Sequence, residues 1–370
     1  MTINQNYTKK DLNFIKKGAL SSENYHEKVK SYLKKKFKYN NSIVTTSCTA
    51  ALEIISLALN LKKNDEIIVP AFTFVSTALP FSNLGAKIVF CDINPTNLNM
   101  SISDLKTKIN KKTKAIIFVH YNGNPEGIDE VIKLKKKNKF VIIEDAAHSF
   151  GKIYKNEYVG KKSDFSVFSF HETKNISCLE GGLLVVNNNK FVKKLDIIAN
   201  KGTNRTSFLN NKTKYYSWKY KGISGIPSNY TCALLYSQLL KFKKILKNRK
   251  KLYLLYLKDL LKNLNHKHIT FLSKETYLKS NYHLFFIFIK NKNLRKNFIK
   301  YLKKKNIECS RHYVPLDKST YGKKFLKNGQ KLIHSTKLGN ELVRLPLNNK
   351  MTINQIKNVN KLVLKYFQNF

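Results

Sequence analysis

Three short stretches carry side chains whose types and order suggest joint chemistry: "TTSCTAAL" (45–52), "IIEDAAHSFG" (142–151) and "FSFHETKNISCLEGG" (168–182). In the first, Ser47, Cys48 and Thr49 make a small polar turn that opens a helical pattern. Backbone N–H groups and hydroxyls at a helix N-terminus suit a phosphate, and Ser and Thr also serve there as plain caps. In the second, Glu144 and Asp145 close an apolar run, where carboxylates are costly without partners. The two alanines after Asp145 permit close approach of something flat, and a helix cap is the competing reading. In the third, Lys174 follows "FSVFSF" and precedes "EGG". A lysine held in a confined site can lower its pKa and form a Schiff base with a carbonyl. Singly, each feature has a bland reading, and for an arbitrary lysine of this chain the bland reading dominates.

The elements that must position these residues are legible as apolar runs. "EIIVP" (66–70), "KIVFC" (87–91), "AIIFV" (115–119), "FVIIED" (140–145), "FSVFSF" (165–170) and "GLLVV" (182–186) are short and rich in β-branched and aromatic residues, which predicts buried strands. Between them "TAALEIISLAL" and "IDEVIKLKKK" have apolar residues at helical spacing. Strands alternating with helices predict a mostly parallel sheet covered on both faces, with the ligand beyond the carboxyl ends of its strands. Asp145 and Lys174 both fall at such ends. A phosphate turn, a strand-end aspartate and a strand-end lysine, in that order, make a site for pyridoxal phosphate (PLP). The lysine holds the aldehyde, the aspartate keeps the pyridine nitrogen protonated, and the helix N-terminus anchors the phosphate.

Past residue 240 the pattern changes. "LLKFKKILKNRKKLYLLYLKDLLKNL" predicts one long amphipathic helix, "YHLFFIFI" (282–289) a strand, and "RKNFIKYLKKKNI" and "INQIKNVNKLVLKYFQ" two helices. The expected organisation is a large PLP-binding domain over 1–245 and a small α+β domain over 246–370. No internal repeat is found.

Composition limits the function classes. The net charge is +46, yet only five of the 69 Lys and Arg residues are Arg: Arg205, Arg249, Arg295, Arg311 and Arg344. Nucleic-acid surfaces favour Arg for bidentate and stacking contacts. A lysine excess spread along the chain with abundant Asn and Ile instead suggests coding bias at tolerant surface positions, and no specific nucleic-acid partner is expected. No apolar run approaches the ~20 residues of a membrane span, so no membrane partner is expected. The N-terminus has no apolar stretch of signal-peptide type. Five widely spaced cysteines read as free thiols of a cytoplasmic protein with no structural zinc.

The motifs "SCTAALEI", "DEIIVPAFTFVSTA", "GAKIVFCDI", "KAIIFVHYNGNPEGID", "IIEDAAHSFG", "SFHETKNISCLEGG" and "RHYVPL" resemble those of the DegT/StrS family of sugar-nucleotide aminotransferases, from about residue 12 to the end. The resemblance implies PLP-dependent transferase fold type I, the aspartate-aminotransferase fold. It implies Lys174 as the Schiff-base lysine, Asp145 at the ring nitrogen and Phe74 stacked on the ring. It places Ser47, Cys48, Thr49 and Ser169 at the phosphate, and His148 near the phenolic oxygen. "KGTNR" (201–205) and "YSWKYKGISG" are most similar to members that aminate a dTDP-4-keto-6-deoxy sugar with glutamate. This implies a dTDP-sugar substrate, a glutamate donor and a homodimer with shared active sites. Lys201 or Arg205 would then lie near nucleotide phosphates, and His312 and Tyr313 near the substrate. Pro227 is unexpected, and Asn229 stands where relatives commonly have an acid.

Two other readings compete. One is amination of another 4-keto or a 3-keto sugar nucleotide on the same scaffold. The other is a polyanion-binding protein on a retired aminotransferase scaffold. A 3-dehydratase of the same fold has histidine in place of the lysine, and Lys174 argues against it.

Overall fold

The computed structural model describes residues 7–20, 23–136, 138–327 and 329–368. The expected apolar runs of the first two-thirds become β2 (Glu66–Pro70), β3 (Lys87–Cys91), β4 (Thr113–Val119), β5 (Val141–Asp145), β8 (Phe165–Ser169) and β9 (Gly182–Val186). They are joined by β1 (Ser42–Thr45), whose four residues are too few to show a period. A two-stranded hairpin, β6 (Ile153–Tyr154) and β7 (Glu157–Tyr158), stands apart. The main sheet has the order β1-β9-β8-β5-β4-β2-β3. Its strands are buried on both faces except at a few positions such as the exposed Lys87 that opens β3, because alternate residues enter different cores. Ile67 and Val69 pack with Ile143 and Val167 on one side, and Ile68 and Ile142 pack on the other.

The run from β8 to β5, β4, β2 and β3 is parallel, and β9 runs against both its neighbours. The connection between β8 and β9 explains this. A parallel return needs a crossover of a dozen or more residues, usually with a helix. Residues 170–181 contain no helix, so the chain turns back directly. This turn carries Lys174.

The single helix expected over 239–264 is two helices, Asn229–Leu240 and Phe242–Asn263, broken at Lys241 (φ −112°, ψ 10°). Helical periodicity continues through the break, which conceals it in the sequence. The longer helix passes from one core to another. Phe242 and Ile245 pack beneath the main sheet, whereas Leu252, Tyr253 and Tyr256 pack with a second sheet. That sheet has the order β10 (Ile269–Thr270), β11 (Phe285–Ile289), β12 (Leu342–Leu345), all antiparallel.

Asn229 has a structural task. Its Nδ2 donates to Gly18 O (2.9 Å) and Glu23 O (3.0 Å), and its Oδ1 accepts from Tyr25 N (2.8 Å). It thereby fastens the junction between helices Lys9–Leu20 and Tyr25–Phe37. An ionised carboxylate has no donor for the two carbonyls.

Candidate active site

At the carboxyl ends of β4, β5 and β8 lies a cavity of about 450 Å³ whose wall includes Lys174, Asp145, Ser169 and His148. Asp145 is the last residue of β5 and Ser169 the last of β8. Lys174 projects from the β8–β9 turn, where its backbone N–H donates to His171 O (2.9 Å). Burial pushes the Lys174 amine below its ordinary value. Cys48 and Asp145 oppose this, and Arg344 adds to it.

The Asp145 carboxylate is held before any ligand arrives. Thr77 Oγ1 donates to Oδ2 (2.8 Å) and Ala147 N to Oδ1 (3.3 Å). Thr73 Oγ1 lies 2.9 Å from Thr77 Oγ1. Because Thr77 spends its proton on the carboxylate, Thr73 is the donor in that pair.

The polar turn opens helix Cys48–Ala58. Ser47 is its N-cap, with Oγ accepting from Ala50 N (3.0 Å). The first helical N–H groups, on Cys48 and Thr49, meet no acceptor among the described residues. They face the same cavity, into which the helix dipole is directed. "EGG" explains how the turn reaches this place. A Cβ on Gly182 would lie 2.4 Å from the Ser47 carbonyl, so only glycine lets β9 pass this close to the turn.

Three buried imidazoles line the far wall. The His148 and His283 rings lie 4.3 Å apart, and His148 and His312 6.0 Å apart. Burial pushes all three well below the ordinary histidine value. The neighbouring cations add to this, Lys174 foremost for His148 and Arg344 for His312. They are neutral near pH 7. Asparagines fix their setting. Asn175 Nδ2 donates to Asn281 O (2.9 Å), so Asn175 Oδ1 accepts from His283 Nδ1 (3.0 Å). His283 therefore carries its proton on Nδ1 and presents a bare Nε2. Asn281 Nδ2 donates in turn to His148 O (3.1 Å). The residue after Lys174 is thus linked through buried amides to the His148 loop. In the same wall, His120 Nε2 lies 3.1 Å from Glu144 Oε2, and Glu144 Oε1 accepts from Ser163 N (3.3 Å) and Ser166 Oγ (3.1 Å).

Ser47, Cys48, Thr49, Phe74, Asp145, His148, Ser169, Lys174, His312 and Tyr313 all line this one cavity. Phe74 stands at its rim, 55% exposed, with its ring 6.0 Å from that of Tyr313. Lys201 and Arg205 do not line it. They lie in an excursion over 200–222 pinned at its base where Gly202 and Gly222 touch, and Trp218 there is 81% exposed. Thr77, Tyr121, His283 and Arg344, which were not among the expected site residues, lie at or beside this cavity. Tyr121 OH donates to His312 O (3.0 Å). Thr77 lies within the quoted "TFVSTA", three residues past Phe74, and that motif was its only signal.

The model of the DegT/DnrJ/EryC1/StrS aminotransferase family matches residues 2–364. The chain belongs to that family. An uncharacterised protein of Methanocaldococcus jannaschii is 33% identical over 299 residues, covering 79% of this chain and 75% of that protein. Among solved structures, Helicobacter pylori PseC, an aminotransferase involved in the biosynthesis of pseudoaminic acid, has a TM-score of 0.90. It is 25% identical and covers 100% of this chain and 99% of its own. The aminotransferase from Psychrobacter cryohalolentis also gives a TM-score of 0.90, at 19% identity, covering 100% and 99%. The fold is the PLP-dependent type I fold, and this family member is a PLP-dependent sugar aminotransferase. The cavity fits the cofactor at both ends: free helix N–H groups stand at one and a pre-held carboxylate at the other.

Proposed function

We propose that the enzyme transfers the amino group of L-glutamate to dTDP-4-keto-6-deoxy-D-glucose, giving dTDP-4-amino-4,6-dideoxy-D-galactose and 2-oxoglutarate. We further propose that it acts in the cytoplasm as a homodimer with shared active sites, each chain divided near residue 245, on a route to cell-surface polysaccharide. The carrying observation is that Lys174 and Asp145 face one cavity with the helix N-terminus. The choice of sugar rests on "KGTNR" and "YSWKYKG".

PLP, when bound, supplies the electron sink that makes a hydrogen beside an amine acidic. The chain's own residues do the rest. Cys48 and Thr49 N–H groups, with Ser47 and Ser169, would hold the phosphate. Phe74 would cover the ring and His148 would stand near its phenolic oxygen. Asp145, fixed by Thr77, would hold a proton at the ring nitrogen. Lys174, its basicity lowered by burial, takes the proton from the donor carbon and delivers one to sugar C4. Arg344 has no carboxylate partner among the described residues, and it suits the donor's α-carboxylate.

The test is incubation with dTDP-4-keto-6-deoxyglucose and glutamate, with the product read by NMR. An axial amine at C4 is expected. An equatorial amine, or amination at C3 of a 3-keto substrate alone, overturns the choice of sugar.

A further inference from the structure

Lys174 is followed by Asn175, which is buried and held on three sides by residues that flank the second sheet. Its Nδ2 donates to Asn281 O (2.9 Å), its Oδ1 accepts from His283 Nδ1 (3.0 Å), and its backbone O accepts from Asn349 Nδ2 (3.0 Å). Asn281 and His283 stand just before β11, and Asn349 just after β12. The turn's own backbone bonds close it at Lys174 N to His171 O (2.9 Å) and at Cys178 N to Phe170 O (2.9 Å). The brace on Asn175 holds the stretch between them.

Arg249 sets the direction of these bonds. This buried guanidinium of helix Phe242–Asn263 donates to Asn349 Oδ1 (3.2 Å), Tyr282 O (3.0 Å) and His283 O (2.7 Å). A guanidinium can only donate, so Asn349 must turn its oxygen to Arg249 and its NH2 group to Asn175. Asn281 O can only accept, so it draws the NH2 group of Asn175 and leaves that side chain's oxygen for His283. The series therefore runs one way, from a fixed charge beside the second sheet to the peptide next to Lys174.

We propose that Asn175 and Asn349 are positioning residues for Lys174: they tie its turn to the second sheet, so that the place of the amine is set from outside the main sheet. This rests on the reading of Lys174 as the lysine that holds the cofactor. A reacting group displaced by ~1 Å can cost on the order of 10²-fold in rate. Loss of the Asn349 bond should therefore show in the chemical step and in the environment of the amine.

Asn349→Asp separates positioning from stability. The new carboxylate still accepts from Arg249, now in a charge-assisted bond, but it has no N–H to offer Asn175 O. The melting temperature should stay near that of wild type. In the holoenzyme, kcat should fall about 10- to 100-fold with the donor's KM little changed, the pattern of an interaction that serves the transition state. A second readout needs no turnover. In the full chain freed of cofactor, acetic anhydride labels amines as they lose their protons, and mass spectrometry of the Lys174 peptide gives the midpoint. Burial depresses that midpoint in wild type. A released turn lets water reach the amine, so the midpoint should move upward, and Asn349→Ala, which adds no charge, should move it the same way. An unmoved midpoint or an unchanged kcat would overturn the proposal, whatever the melting temperature. Borohydride label on a different lysine would remove the reading on which the proposal rests, while the Lys174 midpoint would still decide whether Asn349 places that amine.

Discussion

Thr77 Oγ1 donates to Asp145 Oδ2 over 2.8 Å, so the carboxylate that closes β5 is oriented by a hydroxyl from the loop after β2. A carboxylate can only accept, so this contact fixes the direction of the Asp145 carboxylate. Thr77→Val should keep the shape and remove the donor. The ring nitrogen should then hold its proton less well, and the lysine imine, no longer beside a cationic ring, should keep its own to higher pH, so the holoenzyme's absorbance change should move upward in pH. An unshifted spectral titration would show that Thr77 does not orient Asp145.

Asp145→Asn should be more severe. It replaces a charge-assisted hydrogen bond, roughly twice as strong as a neutral one. The helix N-terminus still anchors the phosphate, so cofactor affinity should fall less than the half-reaction rate. Stopped-flow absorbance separates the two, and equal rates in both proteins would refute the assigned role.

The paths to these residues differ in how well the sequence displays them. Asp145 was legible because a strand announces its own end through a short apolar run, and Lys174 because it stands in the turn that follows such an end at Ser169; parallel sheets place ligands there. Ser47 was legible as a cap. Thr77, Asn175 and His283 meet partners brought up by tertiary packing, and Arg344 reaches the cavity wall in the same way, so no local period marks them. His283 and Arg344 adjoin or belong to the small sheet, and their approach to Lys174 depends on how that sheet docks. The reversed direction of β9 and the break at Lys241 were hidden for a related reason: apolar alternation carries no strand direction, and helical period survives a single non-helical residue.

The buried histidines make stability depend on pH. His148, His283 and His312 have folded values below the ordinary ~6.5, so the unfolded chain binds more protons as pH falls. Their contribution is whole above about pH 6.5 and declines as acid approaches the depressed folded values. The melting temperature should fall between pH 7 and 5, where ordinary carboxylates remain ionised. His283→Asn should reduce that slope, and an unaltered slope would count against its share.

Gly182→Ala should disturb the phosphate turn, because the added Cβ would stand 2.4 Å from the Ser47 carbonyl. Cofactor binding should weaken while the main sheet persists. Equilibrium dialysis of PLP beside circular dichroism distinguishes this from general unfolding, and unchanged affinity would contradict the close-packing argument.

Shared sites are tested by mixing inactive variants. The 200–222 excursion carries Arg205 outside its own cavity, with Tyr215 78% exposed. Lys174→Ala mixed with Arg205→Ala should regain part of the activity once subunits exchange, since hybrid dimers hold one intact site. Exchange confirmed by mass spectrometry without any return of activity would remove Arg205 from a neighbour's site.

Lys174, in a chain crowded with lysines, should be the one that holds the cofactor. Borohydride reduction of the holoenzyme followed by peptide mass mapping tests it most directly. The cofactor's mass is expected on the peptide containing Lys174, and its loss in Lys174→Ala together with a fall in turnover of at least ~10². Label on a different lysine, or wild-type turnover in Lys174→Ala, would contradict it.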